Sequence, residues 1–126
     1  VNNPTRIVIA DSHANVRAQL VARLRREDKF EIVGEADSAA QTLEYAQTRQ
    51  PDIVLIDPMM SDGLGLQAVQ EIAARFPRVA LIALTAAPDT ALTIELRRAG
   101  VRHILRKNIA SQELLQALLH TAKPQK

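Results

Sequence analysis

The chain has 126 residues, 47% of them apolar and 24% charged, which suits one soluble globular domain with its own core and excludes an intrinsically disordered segment. A net charge of +2 and 2% aromatic residues argue against a basic or base-stacking nucleic-acid surface. There is no run of about 18 apolar residues to make a transmembrane helix, and no cysteine for disulfides or thiolate zinc sites, which fits a cytoplasmic protein.

The first residues lack a signal-peptide pattern and lead straight into Arg6–Ala10, a predicted strand ending at Asp11-Ser12. Either residue could cap the helix expected from Ala14 to Arg26. There Val16, Leu20 and Leu24 form one apolar stripe, with Arg17, Arg23, Arg25 and Arg26 on a solvated face. Phe30–Ala36 alternates only partly and reads as an edge strand. Asp37-Ser38 starts a second helix carrying Leu43 and Ala46, and Gln50-Pro51 ends it.

Ile53–Ile56 is a short apolar run bounded by turn signals, which predicts a strand buried on both faces. It stops at Asp57 and gives way to a loop, Pro58 to Gly65. A third helix is expected over Leu66–Phe76, with Val69, Ile72 and Phe76 inward, and a fully apolar strand over Val79–Thr85. A fourth helix, Thr90–Ala99, stops at Gly100. Its Ala91, Leu92, Ile94, Leu96 and Ala99 do not keep to one stripe. Arg102–Arg106 is a short last strand followed by Lys107. Ser111 is expected to cap a fifth helix with Leu114, Leu115, Leu118 and Leu119, although Glu113 misses the capping-box spacing. Residues 1–122 thus read as one domain and 123–126 as a tail or the start of a linker.

Five strand–helix units in strict alternation predict an α/β fold: a flavodoxin-like, doubly wound parallel sheet of order 2-1-3-4-5. That order sets the end of strand one beside the end of strand three. Asp11, Asp57, Thr85 and Lys107 then share the rim where such sheets bind ligands. Two adjacent carboxylates repel and call for a hard cation such as Mg2+. A hydroxyl and a lysine opposite them bind anionic oxygens. The combination suits phosphoryl transfer to an Asp nucleophile. Taken singly, Asp11 could be only a cap, Asp57 a turn former, Thr85 a satisfied hydroxyl and Lys107 a solvated lysine. His13, His103 and His120 lack ligand spacing and are expected at the surface or in packing, with His13 near the rim.

With those residues in place, the whole chain resembles the receiver domain of bacterial two-component response regulators, particularly those preceding a helix-turn-helix output domain. The family's Asp-x-x-Met-Pro-x-x-x-Gly pattern reads Asp57-Pro58-Met59-Met60-Ser61-Asp62-Gly63-Leu64-Gly65. The resemblance implies Asp57 as the residue phosphorylated by a histidine kinase or phosphotransfer protein. It implies Thr85, Ala86 and Lys107 as phosphoryl-binding and switch residues, and Ile104 as the switch-packing position that is usually aromatic. Mg2+ would be held by Asp11, Asp57 and the Met59 carbonyl. Ser12 stands where the family has a second acidic residue, so weaker Mg2+ binding is expected. Met59 and Ala87 replace polar residues that help orient the hydrolytic water, which implies slow self-dephosphorylation.

The resemblance further implies a possible homodimer through helix four, strand five and helix five, and DNA contact only through a separate output domain. The chain would be a signalling module rather than an enzyme with an external substrate. The alternative is a degenerate receiver that binds partners without phosphorylation, for which Ser12 and Ile104 speak. An enzyme on the same architecture is disfavoured, because no nucleotide-binding Gly-rich loop or Asp-x-Asp motif is present.

Overall fold

The computed structural model describes residues 3–122, so the expected tail at 123–126 lies outside the described residues. Strands and helices alternate: β1 (Thr5–Ala10), α1 (Ala14–Arg25), β2 (Phe30–Ala36), α2 (Ala39–Arg49), β3 (Ile53–Ile56), α3 (Gly65–Arg75), β4 (Ala80–Thr85), α4 (Thr90–Ala99), β5 (His103–Arg106) and α5 (Ser111–Ala122). The five strands form one parallel sheet in the order β2-β1-β3-β4-β5.

Alternation along the central strands sends side chains to two separate cores. Val8, Ala10, Val54, Ile56, Leu81 and Ala83 pack against Ala39, Ala46, Val69, Ile72 and Leu96 from α2, α3 and α4. Ile7, Ile9, Ile53, Leu55, Ile82 and Leu84 pack on the other face against Leu20, Val21, Leu24, Leu114 and Leu118 from α1 and α5. All four β3 side chains are at most 1% exposed. Each such burial is worth about 1.5–3 kcal/mol, so β3 is fixed in place and so is the residue at its end.

Several local expectations need correcting. Neither Asp11 nor Ser12 caps α1. The N-cap is His13, which makes no side-chain cap, and the Asp11 carboxylate accepts from the His13 backbone N–H at 2.8 Å rather than from the first turn of the helix. Ser111 lies inside α5, and its Oγ accepts from Arg23 Nε at 3.0 Å. Arg17 and Arg23 are half-buried rather than solvated: they donate to the carbonyls of Asp11 at 2.7 Å and Ile109 at 3.0 Å. Val16 is only half-buried; Val21 joins Leu20 and Leu24 in the core instead. Arg26 is the C-cap of α1 rather than its last residue, Phe76 is the C-cap of α3, and α3 starts one residue early, at Gly65. Val79 and Arg102 precede β4 and β5.

The partial alternation of β2 has a structural cause. Ile7 pairs with Ile32 and Val8 with Gly34, so Val33 is an extra residue, a bulge that flips the pattern. Ser38 caps α2 as expected, accepting from Gln41 N–H at 3.1 Å, and Gly100 ends α4 at φ 103°.

Candidate functional site

Asp11 follows β1 and Asp57 follows β3, and these strands are neighbours in register from Ile7–Ile53 to Ala10–Ile56. The Asp57 backbone N–H continues that pairing to the Ala10 carbonyl at 2.9 Å. Both carboxylates are therefore positioned by sheet geometry, and both are buried: Asp11 is 1% and Asp57 5% exposed. Lys107 follows β5, held by its backbone N–H on the Thr85 carbonyl at 2.9 Å. Its ammonium reaches back to the centre, 2.7 Å from Asp11 Oδ2 and 2.6 Å from Asp57 Oδ2. Burial works against this ammonium's charge, but its hydrogen bonds to Asp11 and Asp57, with their negative charges, outweigh burial and raise its pKa above the ordinary 10.5.

Thr85 ends β4 on the same rim and is 1% exposed, followed by exposed Ala86 and Ala87. The four polar strand ends expected to converge therefore do so along one sheet edge. Ile104 is half-buried against the core under α2, α3 and α4. Ser12 Oγ accepts from the Ser61 backbone N–H at 3.1 Å, so it ties the β1–α1 loop to the β3–α3 loop.

The β3–α3 loop is shaped by its own side chains. Asp57 Oδ1 accepts from Met59 N–H at 2.8 Å, and Met59 stands 61% exposed. Gly65 admits no side chain: a Cβ there would lie 2.1 Å from the Pro58 carbonyl oxygen. The first turn of α3 thus packs directly on the residue after Asp57.

Three functional features escaped the sequence. His13 is exposed near the rim as expected, but its contact with Asp11 was not foreseen. Its ring Nδ1 lies 3.2 Å from Asp11 Oδ1, and one ligand atom each from Asp11, His13 and Asp57 falls within 4.8 Å of the others. The only signal was its place two residues after Asp11. Asp62 anchors the loop, with its carboxylate accepting from Ala39 N–H and Leu64 N–H at 2.9 Å each. These bonds, Ala39 first, hold its pKa below the usual 3.8. Arg17 braces the Asp11 backbone from α1.

The family model described as the response regulator receiver domain matches residues 7–119. The chain belongs to that family. It is 36% identical over 121 residues to the transcriptional regulatory protein CitT of Bacillus subtilis, a match covering 95% of this chain and 53% of CitT. It is 35% identical over 116 residues to the transcriptional regulatory protein PdtaR of Mycobacterium tuberculosis, covering 91% of this chain and 55% of PdtaR. The chain thus spans about half the length of the curated relatives it matches.

Among solved structures, the signal receiver domain of the response regulator NarL from Mycobacterium tuberculosis superposes with a TM-score of 0.90 at 26% identity. That match covers 98% of this chain and 99% of that one. The isolated receiver domain of RcsB from Salmonella enterica gives 0.85 at 23% identity, covering 98% and 92%, and shares the fold. This receiver domain is a module of two-component signal transduction, and receivers generally bind Mg2+ in an acidic pocket. Two carboxylates, both buried, lie at one rim, and such oxygen donors fit the ion. No described helix is long and apolar enough to cross a membrane.

Proposed function

We propose that Asp57 accepts a phosphoryl group from a histidine kinase or phosphotransfer protein, and that the resulting charge switches the chain's partner binding. The observation that carries this is the buried Lys107 ammonium held against both Asp57 and Asp11. A cation at that place neutralises charge on a group arriving at Asp57.

In this reading a carboxylate oxygen of Asp57 attacks the phosphorus of a phosphohistidine. The O–P bond forms as the P–N bond breaks, and the freed imidazole nitrogen keeps the electron pair. Lys107 turns from the Asp57 carboxylate to a phosphoryl oxygen. The Thr85 hydroxyl and the Ala86 N–H bind the other oxygens. Asp11, Asp57 and the Met59 carbonyl would hold Mg2+, which when bound supplies neutralisation of the transferring group. The pull on Thr85 shifts the β4–α4 loop, and Ile104 repacks beneath it. The face of α4, β5 and α5 then carries the output, as a homodimer contact or a docking site for a DNA-binding domain elsewhere in the protein. Ile94 on α4 is a large apolar side chain left 45% exposed, available for such a contact.

Borohydride trapping tests this reading. After incubation with a small-molecule phosphodonor and Mg2+, reduction should convert residue 57, and no other, to homoserine. Reduction at a different carboxylate, or none, would contradict the assignment.

Two observations favour a second reading, a receiver that works without phosphorylation. Ser12 is engaged by the Ser61 backbone, and Lys107 already pairs with both carboxylates. If phosphodonor and Mg2+ leave the folded protein unmodified, that reading replaces the first.

A further inference from the structure

We propose that His13 is a third side-chain ligand at the Asp11–Asp57 rim, and that it makes the site select divalent first-row transition ions over Mg2+. The inference rests on reading this rim as a cation site and concerns which cation it takes.

The donor set has lost one hard ligand. Ser12 offers a hydroxyl in place of a carboxylate, and that hydroxyl accepts from Ser61 N–H at 3.1 Å. Lys107 occupies Oδ2 of both carboxylates. The Oδ1 atoms each accept one backbone N–H, from His13 on Asp11 and from Met59 on Asp57, and keep a further lone pair; His13 stands on that side, its Nδ1 3.2 Å from Asp11 Oδ1. Two ligands bound at about 2.1 Å to adjacent positions of an octahedral ion lie about 3.0 Å apart. The observed separation is therefore close to that of a ligating pair before the ion arrives.

The backbone holds the imidazole near this position. The His13 N–H donates to the same Asp11 Oδ1 at 2.8 Å, and the residue is the N-cap of α1 in an extended conformation. The ring is otherwise largely exposed, with 64% of the side chain in solvent, so an ion has open access. One oxygen each from Asp11 and Asp57 and a nitrogen from His13 fall within 4.8 Å of one another.

Chemistry then sets the preference. Mg2+ is hard, prefers oxygen and gives up water reluctantly. Imidazole nitrogen suits Co2+, Ni2+ and Zn2+ far better. Exchanging a carboxylate for an imidazole weakens the site for Mg2+ and spares or improves it for the transition ions. The bland alternative is a surface imidazole hydrogen-bonded to a carboxylate, with no part in binding.

Calorimetric titrations with Co2+ and with Mg2+ on the wild type and on His13→Ala separate the two. His13 is exposed and makes no core contact, so the variant should fold. The expected result is that His13→Ala weakens Co2+ binding at least about tenfold, the loss that removal of even an outer partner of a metal site causes, while Mg2+ affinity changes less than about twofold. The Co2+ protein should also show paramagnetically shifted imidazole ring C–H resonances that are missing from the variant. Equal changes for both ions, unchanged Co2+ affinity, or no shifted imidazole resonance would overturn the role of His13. Retained Mg2+ binding in those cases would leave the acidic-site reading standing. A wild type that binds neither ion would overturn both.

Discussion

The Lys107 ammonium sits between two buried carboxylates, 2.6 Å from Asp57 and 2.7 Å from Asp11. Two negative charges share one positive charge where water is scarce, so without an ion the site is one positive charge short. Removing the lysine leaves both carboxylates uncompensated, and breaking a buried pair this way costs about 3 kcal/mol or more. Removing Asp57 relieves repulsion and keeps one full pair. Lys107→Met is therefore expected to destabilise the metal-free protein by about 3 kcal/mol, and Asp57→Asn to leave it equal or more stable. Urea unfolding of the two variants in chelator checks this. A loss in Asp57→Asn as large as that in Lys107→Met would show that the carboxylates do not repel as argued.

Ser12→Asp restores a carboxylate beside Asp11 and Asp57. An aspartate oxygen can also take over the Ser61 N–H that Ser12 now accepts. Mg2+ affinity is expected to rise at least about tenfold, the scale of a restored charged ligand. Calorimetry on the variant measures it. Unchanged affinity would mean that Ser12 is not the weak point of the site.

Gly65 is the contact between α3 and the loop after Asp57. A Cβ there would stand 2.1 Å from the Pro58 carbonyl oxygen, and backbone cannot yield as a flexible side chain can. Gly65→Ala is expected to cost about 1–3 kcal/mol, as overpacking does, and to displace the Asp57 loop. Thermal unfolding and amide shifts of Met59 to Leu64 report the two effects. A variant with wild-type stability and shifts would remove this glycine from the account.

Asp62 ties the same loop to the start of α2, and its carboxylate is held below its usual pKa by the Ala39 and Leu64 N–H groups. Its unfolded form takes up a proton first as pH falls, so stability rises with pH in that window. The contribution is present above about pH 4 and is lost as pH drops through the lower folded value. Unfolding curves between pH 5 and 3 should show the wild type losing more stability than Asp62→Ala. Parallel losses in the two proteins would remove Asp62 from the acid sensitivity.

Met59 is 61% exposed and Ala87 is exposed as well, so neither supplies a polar group to a water approaching Asp57. Once formed, the aspartyl phosphate should persist. Met59→Asn should shorten its half-life several-fold, followed by mass spectrometry after removal of the phosphodonor. An unchanged half-life would exclude this position from the control of hydrolysis.

The sequence showed much of the sheet because its signals are local. Ile53–Ile56 is apolar throughout, and Asp57 breaks it; alternating strands and helices then leave few topologies, and the 2-1-3-4-5 order put Asp11 beside Asp57. Other features depend on distant pairing. The bulge at Val33 exists only relative to β1. Arg23 looked solvated because its acceptors, Ser111 and Ile109, lie more than 80 positions away. His13 was discounted because the three histidines lack ligand spacing, yet its ring meets Asp11 two residues away, and the sheet brings Asp57 close to both. Asp62 was read only as part of the loop after Asp57, since its bond to Ala39 reaches across to the start of α2.

The central claim is that Asp57 is a working phosphoacceptor whose charge Lys107 and a bound cation offset. Intact mass after incubation with a small-molecule phosphodonor, with and without divalent cation and beside Asp57→Asn, tests it most directly. The account predicts one added phosphoryl group that requires both the cation and Asp57. An unmodified, folded wild type across a wide range of cation concentration, or an adduct that survives Asp57→Asn, would contradict it.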